Sequence, residues 1–126
     1  MRGLGVTADT GFLIGLERSK DRALAVLARL GKQRVSVPVA VVAEWWRGSP
    51  RQAHVLRLLD RPEPMTEALA KRAGEAIAKV LGATTIDAIV MATAASRGDV
   101  VYTSDFGDLE RLRLEHFRAV PRVFAV

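Results

Sequence analysis

The stretch Thr85–Thr103, TIDAIVMATAASRGDVVYT, decides the fold. Its first part, residues 86–96, is apolar on nearly every face of a helix, and such helices are usually buried. Gly98 ends that helix, and residues 100–103 form a strand pattern that is apolar on both sides. Strands of this kind occur in parallel sheets whose two faces are covered by helices. The stretch therefore predicts an α/β protein with a buried parallel strand.

Strands and helices alternate along the rest of the chain. The patterns predict further strands at residues 4–8, 35–37 and 120–126, and helices at residues 10–18, 20–30, 39–47, 51–59, 66–81 and 105–112, the last a short helix or a loop. Thr85 is predicted as the N-cap of the helix over residues 86–96, and Ile77 as an inward residue of the helix over 66–81. The alternation predicts a central parallel sheet with right-handed crossover connections.

Length and composition indicate a single domain over residues 1–126. Hydrophobic residues make up 49% of the chain, which is enough for a sizeable core, and there is no cysteine. The lack of cysteine excludes disulfide scaffolds, thiolate zinc sites and cysteine nucleophiles. No signal-peptide pattern follows Met1, and no apolar run approaches the roughly 18 residues of a membrane span. We therefore expect a soluble, cytoplasmic protein that does not bind membranes.

The chain is basic, with a formal net charge of +5. Arginine supplies 15 of its 19 basic residues, and the guanidinium group grips phosphate in two places. This balance favours a polyanionic partner such as a nucleic acid. Codon usage in a GC-rich genome is an alternative explanation for the excess of arginine over lysine.

Five carboxylates occupy positions where an acid needs an explanation. Asp9 and Asp105 follow predicted strands, Asp108 lies three residues further on, and Asp87 lies in the first turn of the apolar helix. Those four could serve as capping or turn residues, whereas Glu44 has only apolar and aromatic neighbours in sequence. Because the carboxyl ends of parallel strands meet at one edge of a sheet, Asp9 and Asp105 should lie close together.

Converging carboxylates repel each other unless a cation lies between them. Oxygen ligands alone favour Mg²⁺ or Mn²⁺ over zinc. Setting the five acids aside raises the formal charge of the remaining residues from +5 to +10. An acidic metal site within a basic surface suits the cleavage of phosphodiester bonds, because the cations hold the backbone while the metal activates water.

Four segments carry a resemblance to a known family. They are Asp9-Thr10 after the first strand, Val42-Ala43-Glu44, residues 86–94 (IDAIVMATA) and residues 103–109 (TSDFGDL). In this order they resemble a PIN domain, and more closely a VapC-type toxin ribonuclease of a type II toxin–antitoxin pair. The resemblance spans residues 4–109, which is nearly the whole chain.

The resemblance implies a three-layer α/β/α fold with a central parallel sheet and an endoribonuclease that depends on Mg²⁺ or Mn²⁺. Within it Glu44 would orient water or act as a general base. The family's site positions correspond here to catalytic Asp9, Glu44, Asp87 and Asp105, to metal ligands Asp9, Asp87, Asp105 and Asp108, and to supporting Thr10, Thr103 and Ser104.

The same resemblance implies an RNA substrate, a cognate antitoxin protein as inhibitor, and a homodimer. The chain departs from the family at two positions. Gly11 stands where a small hydroxyl residue is frequent, which suggests a looser loop after Asp9. Asp105 is an acid where many relatives have asparagine, which should strengthen a second metal position.

Other interpretations remain open at the level of the sequence. Asp9-Thr10-Gly11 is also the aspartic-protease string, but those enzymes need a mainly β fold. An RNase H-like nuclease also uses four carboxylates to bind metal ions, but its first strands form hairpins. A non-catalytic PIN-fold module that binds RNA or a protein is the alternative from another functional class.

Two further motifs have simple structural interpretations. Arg97-Gly98-Asp99 spells an integrin-binding tripeptide, but its place predicts the end of a helix entering a strand. Trp45 and Trp46 point about 100° apart on a helix, so one should be buried and the other partly exposed. The outer tryptophan could lie in a dimer or antitoxin interface.

Overall fold

The structure is a computed structural model that describes residues 5–31 and 33–126. Its strands are β1 (Val6–Ala8), β2 (Val35–Ser36), β3 (Val100–Thr103) and β4 (Val123–Ala125). They form one parallel sheet in the order β2-β1-β3-β4. β1 and β3 are therefore the central strands. Leu4, the predicted start of the first strand, lies outside the described residues.

Seven helices surround the sheet in the part of the chain that the structure describes. They are α1 (Thr10–Glu17), α2 (Asp21–Leu30), α3 (Val39–Trp45), α4 (Pro50–Arg57), α5 (Glu67–Lys79), α6 (Thr85–Arg97) and α7 (Phe106–Glu115). Each corresponds to a helix predicted from the sequence, with ends that differ by at most three residues. For residues 105–112 the sequence left a short helix or a loop open, and the structure shows the helix α7.

Helices cover both faces of the sheet. All three residues of β1 are buried, although successive side chains of a strand point to opposite faces. In α6 the seven consecutive residues from Ala88 to Ala94 are buried, as the uniformly apolar pattern predicts. The protein is therefore a three-layer α/β/α sandwich with the sheet in the middle.

Two local predictions are wrong. Thr84, not Thr85, is the N-cap of α6, because the Thr84 side chain accepts a hydrogen bond from the backbone N–H of Asp87 at 3.2 Å. Ile77 is exposed, and Ala76 is the buried residue in that turn of α5. A helix has 3.6 residues per turn, so a four-residue step from Leu69 to Ala73 is followed by a three-residue step to Ala76.

The pairing of the strands excludes two of the alternative folds. Within residues 5–31 and 33–126 every strand pair is parallel, and β1 connects to β2 through two helices, α1 and α2. An RNase H-like domain would begin with hairpins, and an aspartic protease would be mainly β. Neither interpretation holds for this chain.

The two adjacent tryptophans differ in burial as predicted. Trp45 is buried, and its indole N–H donates a hydrogen bond to Glu17 at 2.9 Å. Trp46 is 37% exposed. The buried Gln52 side chain donates to the Trp45 carbonyl at 2.9 Å and accepts from the backbone N–H of Arg47 at 2.7 Å. These bonds join the end of α3 to α1 and α4.

Asp99 is a fully buried carboxylate at the amino end of β3. It accepts hydrogen bonds from the Thr7 hydroxyl at 2.9 Å and from Arg34 Nη2 at 2.7 Å, and Arg97 Nε lies 3.3 Å away. Because Thr7 belongs to β1 and Arg34 precedes β2, this one charge joins three strands. Gly5 leaves the space for it, since a Cβ there would collide with Arg34 and Asp99. The Arg97-Gly98-Asp99 tripeptide is thus a structural element with a buried aspartate.

We expect Asp99→Ala to lower the free energy of unfolding by about 3 kcal/mol, because it leaves two arginines without their buried partner. Urea unfolding measures this change. Glu67→Ala is the matched control, because it removes a carboxylate from an exposed pair with Lys71 and should cost at most about 1 kcal/mol. Equal losses in the two variants would show that the buried pair does not stabilise the sheet.

Candidate active site

The carboxyl ends of β1 and β3 form a crevice at one edge of the sheet. The chain leaves β1 toward β2 on one side and later enters β3 on the other side, so the direction of the connections changes here. Open parallel sheets bind ligands at such a switch point. Asp9 directly follows β1, and Ser104 and Asp105 directly follow β3.

A cavity of about 180 Å³ opens at this crevice, and we call it the acidic cavity. It contains all four residues with predicted catalytic roles, although each comes from a different part of the chain. It is lined by Asp9, Thr10, Gly11, Glu44, Thr84, Ile86, Asp87, Ser104 and Asp105. The structure therefore brings the predicted acidic set together.

Asp9 is held on both sides of its carboxylate. Oδ1 accepts a hydrogen bond from the backbone N–H of Phe12 at 2.9 Å, and Oδ2 accepts one from the Thr103 hydroxyl. The same Thr103 oxygen accepts the backbone N–H of Asp105 at 2.8 Å. Asp9 is thus both the N-cap of α1 and part of the acidic cavity, and Thr103 fixes Asp9 and Asp105 relative to each other.

Glu44 lies near the end of α3, and its carboxylate is exposed toward the cavity. Its Oε1 accepts a hydrogen bond from the Thr10 hydroxyl. This bond connects α3 to the first residue of α1, immediately after Asp9. The contact explains why an acid interrupts the otherwise apolar run of α3.

Asp87, Asp105 and Asp108 form the densest carboxylate group in the described part of the chain. Each offers an oxygen atom, and these atoms lie within 4.8 Å of one another. Asp108 lies in the first turn of α7 and does not line the acidic cavity. Asp9 lines the cavity but does not belong to this group of three, so the predicted metal ligands divide into a close triad and one carboxylate beside it.

Burial and repulsion together raise the pKa of Asp87 to about 6. Partial burial is the largest cause, because it disfavours the charged form. The negative charges of Asp105, Asp9 and Asp108 raise the pKa further, and a hydrogen bond with Thr84 opposes them without cancelling them. Near neutral pH a detectable fraction of the protein molecules therefore still carries the proton on Asp87.

The pKa values of Asp9 and Asp105 are also raised. For Asp9 burial dominates, and it outweighs the opposing hydrogen bonds from Thr103 and Phe12. For Asp105 partial desolvation comes first, followed by the charge of Asp108 and a hydrogen bond with it. For both groups burial is the main cause of the raised pKa, and the neighbouring carboxylates add to it.

The donor set fits a divalent cation. The close triad offers only carboxylate oxygens, which Mg²⁺ and Mn²⁺ prefer, and a cation would offset the repulsion that adds to burial in raising the pKa values of Asp87 and Asp105. Zinc is a poorer fit, since the acidic cavity contains neither histidine nor cysteine.

The expected loose loop after Asp9 is absent, because Gly11 is the second residue of α1. A Cβ on Gly11 would lie 2.8 Å from the Ser104 Cβ and even closer to its hydroxyl. The first turn of α1 and the turn after β3 therefore touch at this glycine. The departure from the family at this position is a close contact, not a source of flexibility.

Thr84 and Ile86 line the acidic cavity but were not predicted as site residues. Thr84 caps α6 and hydrogen-bonds Asp87, so it fixes the start of the helix that carries this acid. The pair Thr84-Thr85 offered two equally good N-caps, and the sequence alone does not choose between them. The supporting residues Thr10, Thr103 and Ser104 all lie at the site.

The profile of the PIN domain family matches residues 6–113. The chain belongs to the PIN domain family. The crystal structure of FitAcB from Neisseria gonorrhoeae has a similar fold, with a TM-score of 0.67 and 20% sequence identity over 94% of this chain and 96% of that chain. No curated protein matches the chain. The resemblance to PIN domains that the four sequence segments indicate is confirmed.

PIN domains are generally nucleases that use divalent metal ions. None of the helices within residues 5–31 and 33–126 is long and apolar enough to cross a membrane.

We expect Asp87→Asn to stabilise the metal-free PIN domain increasingly as the pH rises from 4 to 7. The pKa of Asp87 is raised from 3.8 to about 6, so the folded protein holds this proton more tightly and loses stability as Asp87 ionises. Urea unfolding in EDTA at several pH values measures the difference between variant and wild type. Glu75→Gln, an exposed acid on α5, is the control. A difference that does not grow with pH would contradict the raised pKa.

We expect Gly11→Ala to lower the free energy of unfolding by about 1–3 kcal/mol, because its Cβ would press on Ser104. In a Ser104→Gly background the same change should cost little, since the contact is gone. Gly74→Ala is the matched control, as nothing lies within 4 Å of that position in α5, and it should gain up to about 1 kcal/mol. An unaltered Gly11→Ala penalty in the Ser104→Gly background would refute the contact.

Proposed function

We propose that this PIN domain is an endoribonuclease that depends on Mg²⁺ or Mn²⁺, and that it acts as the toxin of a toxin–antitoxin pair. The observation that carries the proposal is the gathering of Asp9, Glu44, Asp87 and Asp105 in one cavity at the switch point of the sheet. The membership of a nuclease family supports it.

The charge of the chain favours a nucleic-acid substrate. The net charge is +5 although five carboxylates are concentrated at the site, so the rest of the chain is strongly basic. Such a surface attracts the phosphate backbone, and a cation at the acidic cavity removes the local repulsion. RNA is the substrate that the similarity to VapC-type toxins implies.

Asp87, Asp105 and Asp108 would hold the cation, with Asp9 beside them. A bound cation would supply two things here, namely the activation of water and the stabilisation of negative charge on the phosphate. The chain's own residues position it, because Thr103 holds Asp9 and Thr84 holds Asp87.

Glu44 has a different role from the triad. Its Oε1 is occupied by the Thr10 hydroxyl, which orients the carboxylate and leaves Oε2 to take a proton from water. Glu44 is therefore the general base of the proposed reaction, and Thr10 is its positioning residue. Histidine is not needed for this proton transfer.

The proposed partners are a cognate antitoxin protein, which would inhibit the site, and a second copy of this chain. Both rest on the similarity to VapC-type toxins. The partly exposed Trp46 is a candidate contact for one of them, because tryptophan is enriched at binding hot spots. We place the proposed ribonuclease in the cytoplasm, where its RNA substrates and antitoxin would be.

Incubation of the purified protein with total RNA and Mg²⁺ or Mn²⁺ tests the proposal. We expect discrete fragments that require the metal. Asp87→Asn should lower the cleavage rate about 100-fold or more, since even residues that only support metal ligands commonly contribute about 10–100-fold. Glu44→Gln should also lose about 100-fold, as expected for a general base. Glu75→Gln should cleave like the wild type.

Calorimetric titration with Mn²⁺ gives a readout that does not depend on cleavage. Binding should tighten as the pH rises through about 6, because Asp87 must lose its proton, and Asp87→Asn should weaken it. Cleavage that persists in EDTA or in Asp87→Asn would refute the proposed chemistry. RNA binding without cleavage by a metal-loaded protein would favour the alternative, a non-catalytic PIN-fold module.

A further inference from the structure

A second cavity adjoins the acidic cavity, and we call it the basic cavity. It measures about 300 Å³, and Gly11 and Ser104 line both cavities. The two cavities are therefore neighbours that meet at the contact between the first turn of α1 and the turn after β3.

Three charged residues from the start of α2 and the turn before it line the basic cavity. They are Lys20, Asp21 and Arg22. All three are exposed, and neither Lys20 nor Arg22 has a carboxylate within 4.0 Å among residues 5–31 and 33–126. The two cations are thus available for an anion from outside.

The basic surface continues along α2. A third depression shares Arg22 with the basic cavity and is also lined by Arg29. Arg22 and Arg29 are seven residues apart, so they lie on the same face of the helix and about 10 Å apart along its axis. The acidic cavity, the basic cavity and this depression follow one another across the surface.

We propose that the α2 face formed by Lys20, Arg22 and Arg29 binds the backbone phosphates of the RNA strand next to the bond that is cleaved. The basic cavity would hold the adjoining nucleotide, since its volume is that of a small-ligand site. The inference rests on the proposed function and extends it, because it names the cations that position the substrate.

The placement of the charges explains why the RNA strand would run from the acidic cavity toward the α2 face. With a cation bound, the acidic cavity would hold one phosphate of the RNA, and the neighbouring phosphates of the strand would need cations close by. Lys20 and Arg22 meet that need at the edge shared through Gly11 and Ser104. These contacts are to the backbone, so they position the RNA without selecting its sequence.

The test is the affinity of the full chain for a fluorescein-labelled, single-stranded 20-nucleotide RNA of mixed sequence. Fluorescence anisotropy is measured in EDTA, so that cleavage does not consume the probe, at several salt concentrations. Lys20→Ala with Arg22→Ala should weaken binding about 10-fold at low salt. The slope of log affinity against log salt should fall by about 1.4, since each contact to a single strand contributes about 0.7.

A matched control distinguishes the effect of where the cations lie from the effect of lowering the net charge of the protein. Lys71→Ala with Arg72→Ala also removes one lysine and one arginine, both exposed on α5, and should change neither affinity nor slope appreciably. Lys20→Arg with Arg22→Lys keeps the charges and should bind like the wild type. Lys20→Glu with Arg22→Glu should lose more than the alanine pair, and circular dichroism checks that each variant is folded.

Cleavage kinetics in Mg²⁺ add an independent readout, in which the alanine pair should raise KM more than it lowers kcat. If the α2 pair and the α5 pair lose affinity equally, or neither loses any, the inference is wrong even if the wild type cleaves RNA. If the wild type binds RNA through the α2 face but never cleaves it, the proposed function fails and the binding face stands.

Discussion

The hydrogen bond from Thr103 to Asp9 joins the carboxyl ends of the two central strands, and the whole site depends on it. Thr103 also accepts the backbone N–H of Asp105, so one hydroxyl sets the spacing between the turns that follow β1 and β3. Asp9 in turn caps α1, which places Thr10 under Glu44. The sheet therefore positions the residues of the acidic cavity through these hydrogen bonds.

The two ends of the sheet differ in how their carboxylates are paired. At the amino edge Asp99 is matched by Arg34 and Arg97, and the carboxylate stabilises the sheet. At the carboxyl edge Asp87 lies near Asp105 and Asp9, and their negative charges add to burial in raising the pKa of Asp87 to about 6. A protein selected only for stability would avoid the second arrangement, and unneutralised charge of this kind is typical of functional sites.

Much of this organisation could be predicted from the sequence. The uniformly apolar patterns of α6 and β3 predict the fold class, and acids in apolar or strand-end positions predict the four carboxylates that line the acidic cavity. Other features depend on tertiary packing that no local pattern contains. The choice of Thr84 over Thr85 as N-cap, the outward turn of Ile77 and the contact between Gly11 and Ser104 all follow from how neighbouring elements meet. The sequence predicts that Asp99 lies between a helix and a strand, but its partner Arg34 is 65 residues away in sequence.

The separation of the site residues along the chain also governs when the site can form during folding. Asp9 and Thr103 are 94 residues apart, and the chain between β1 and β3 includes β2 and the helices α1 to α6. Parallel pairing over such distances has a high contact order and is slow, because loop closure must precede the contacts that reward it. An incomplete chain that ends before β3 lacks both Thr103 and Asp105, so it contains no complete acidic cavity. The topology thus couples any activity of the site to the completion of the fold and keeps partly synthesised or partly folded chains inert.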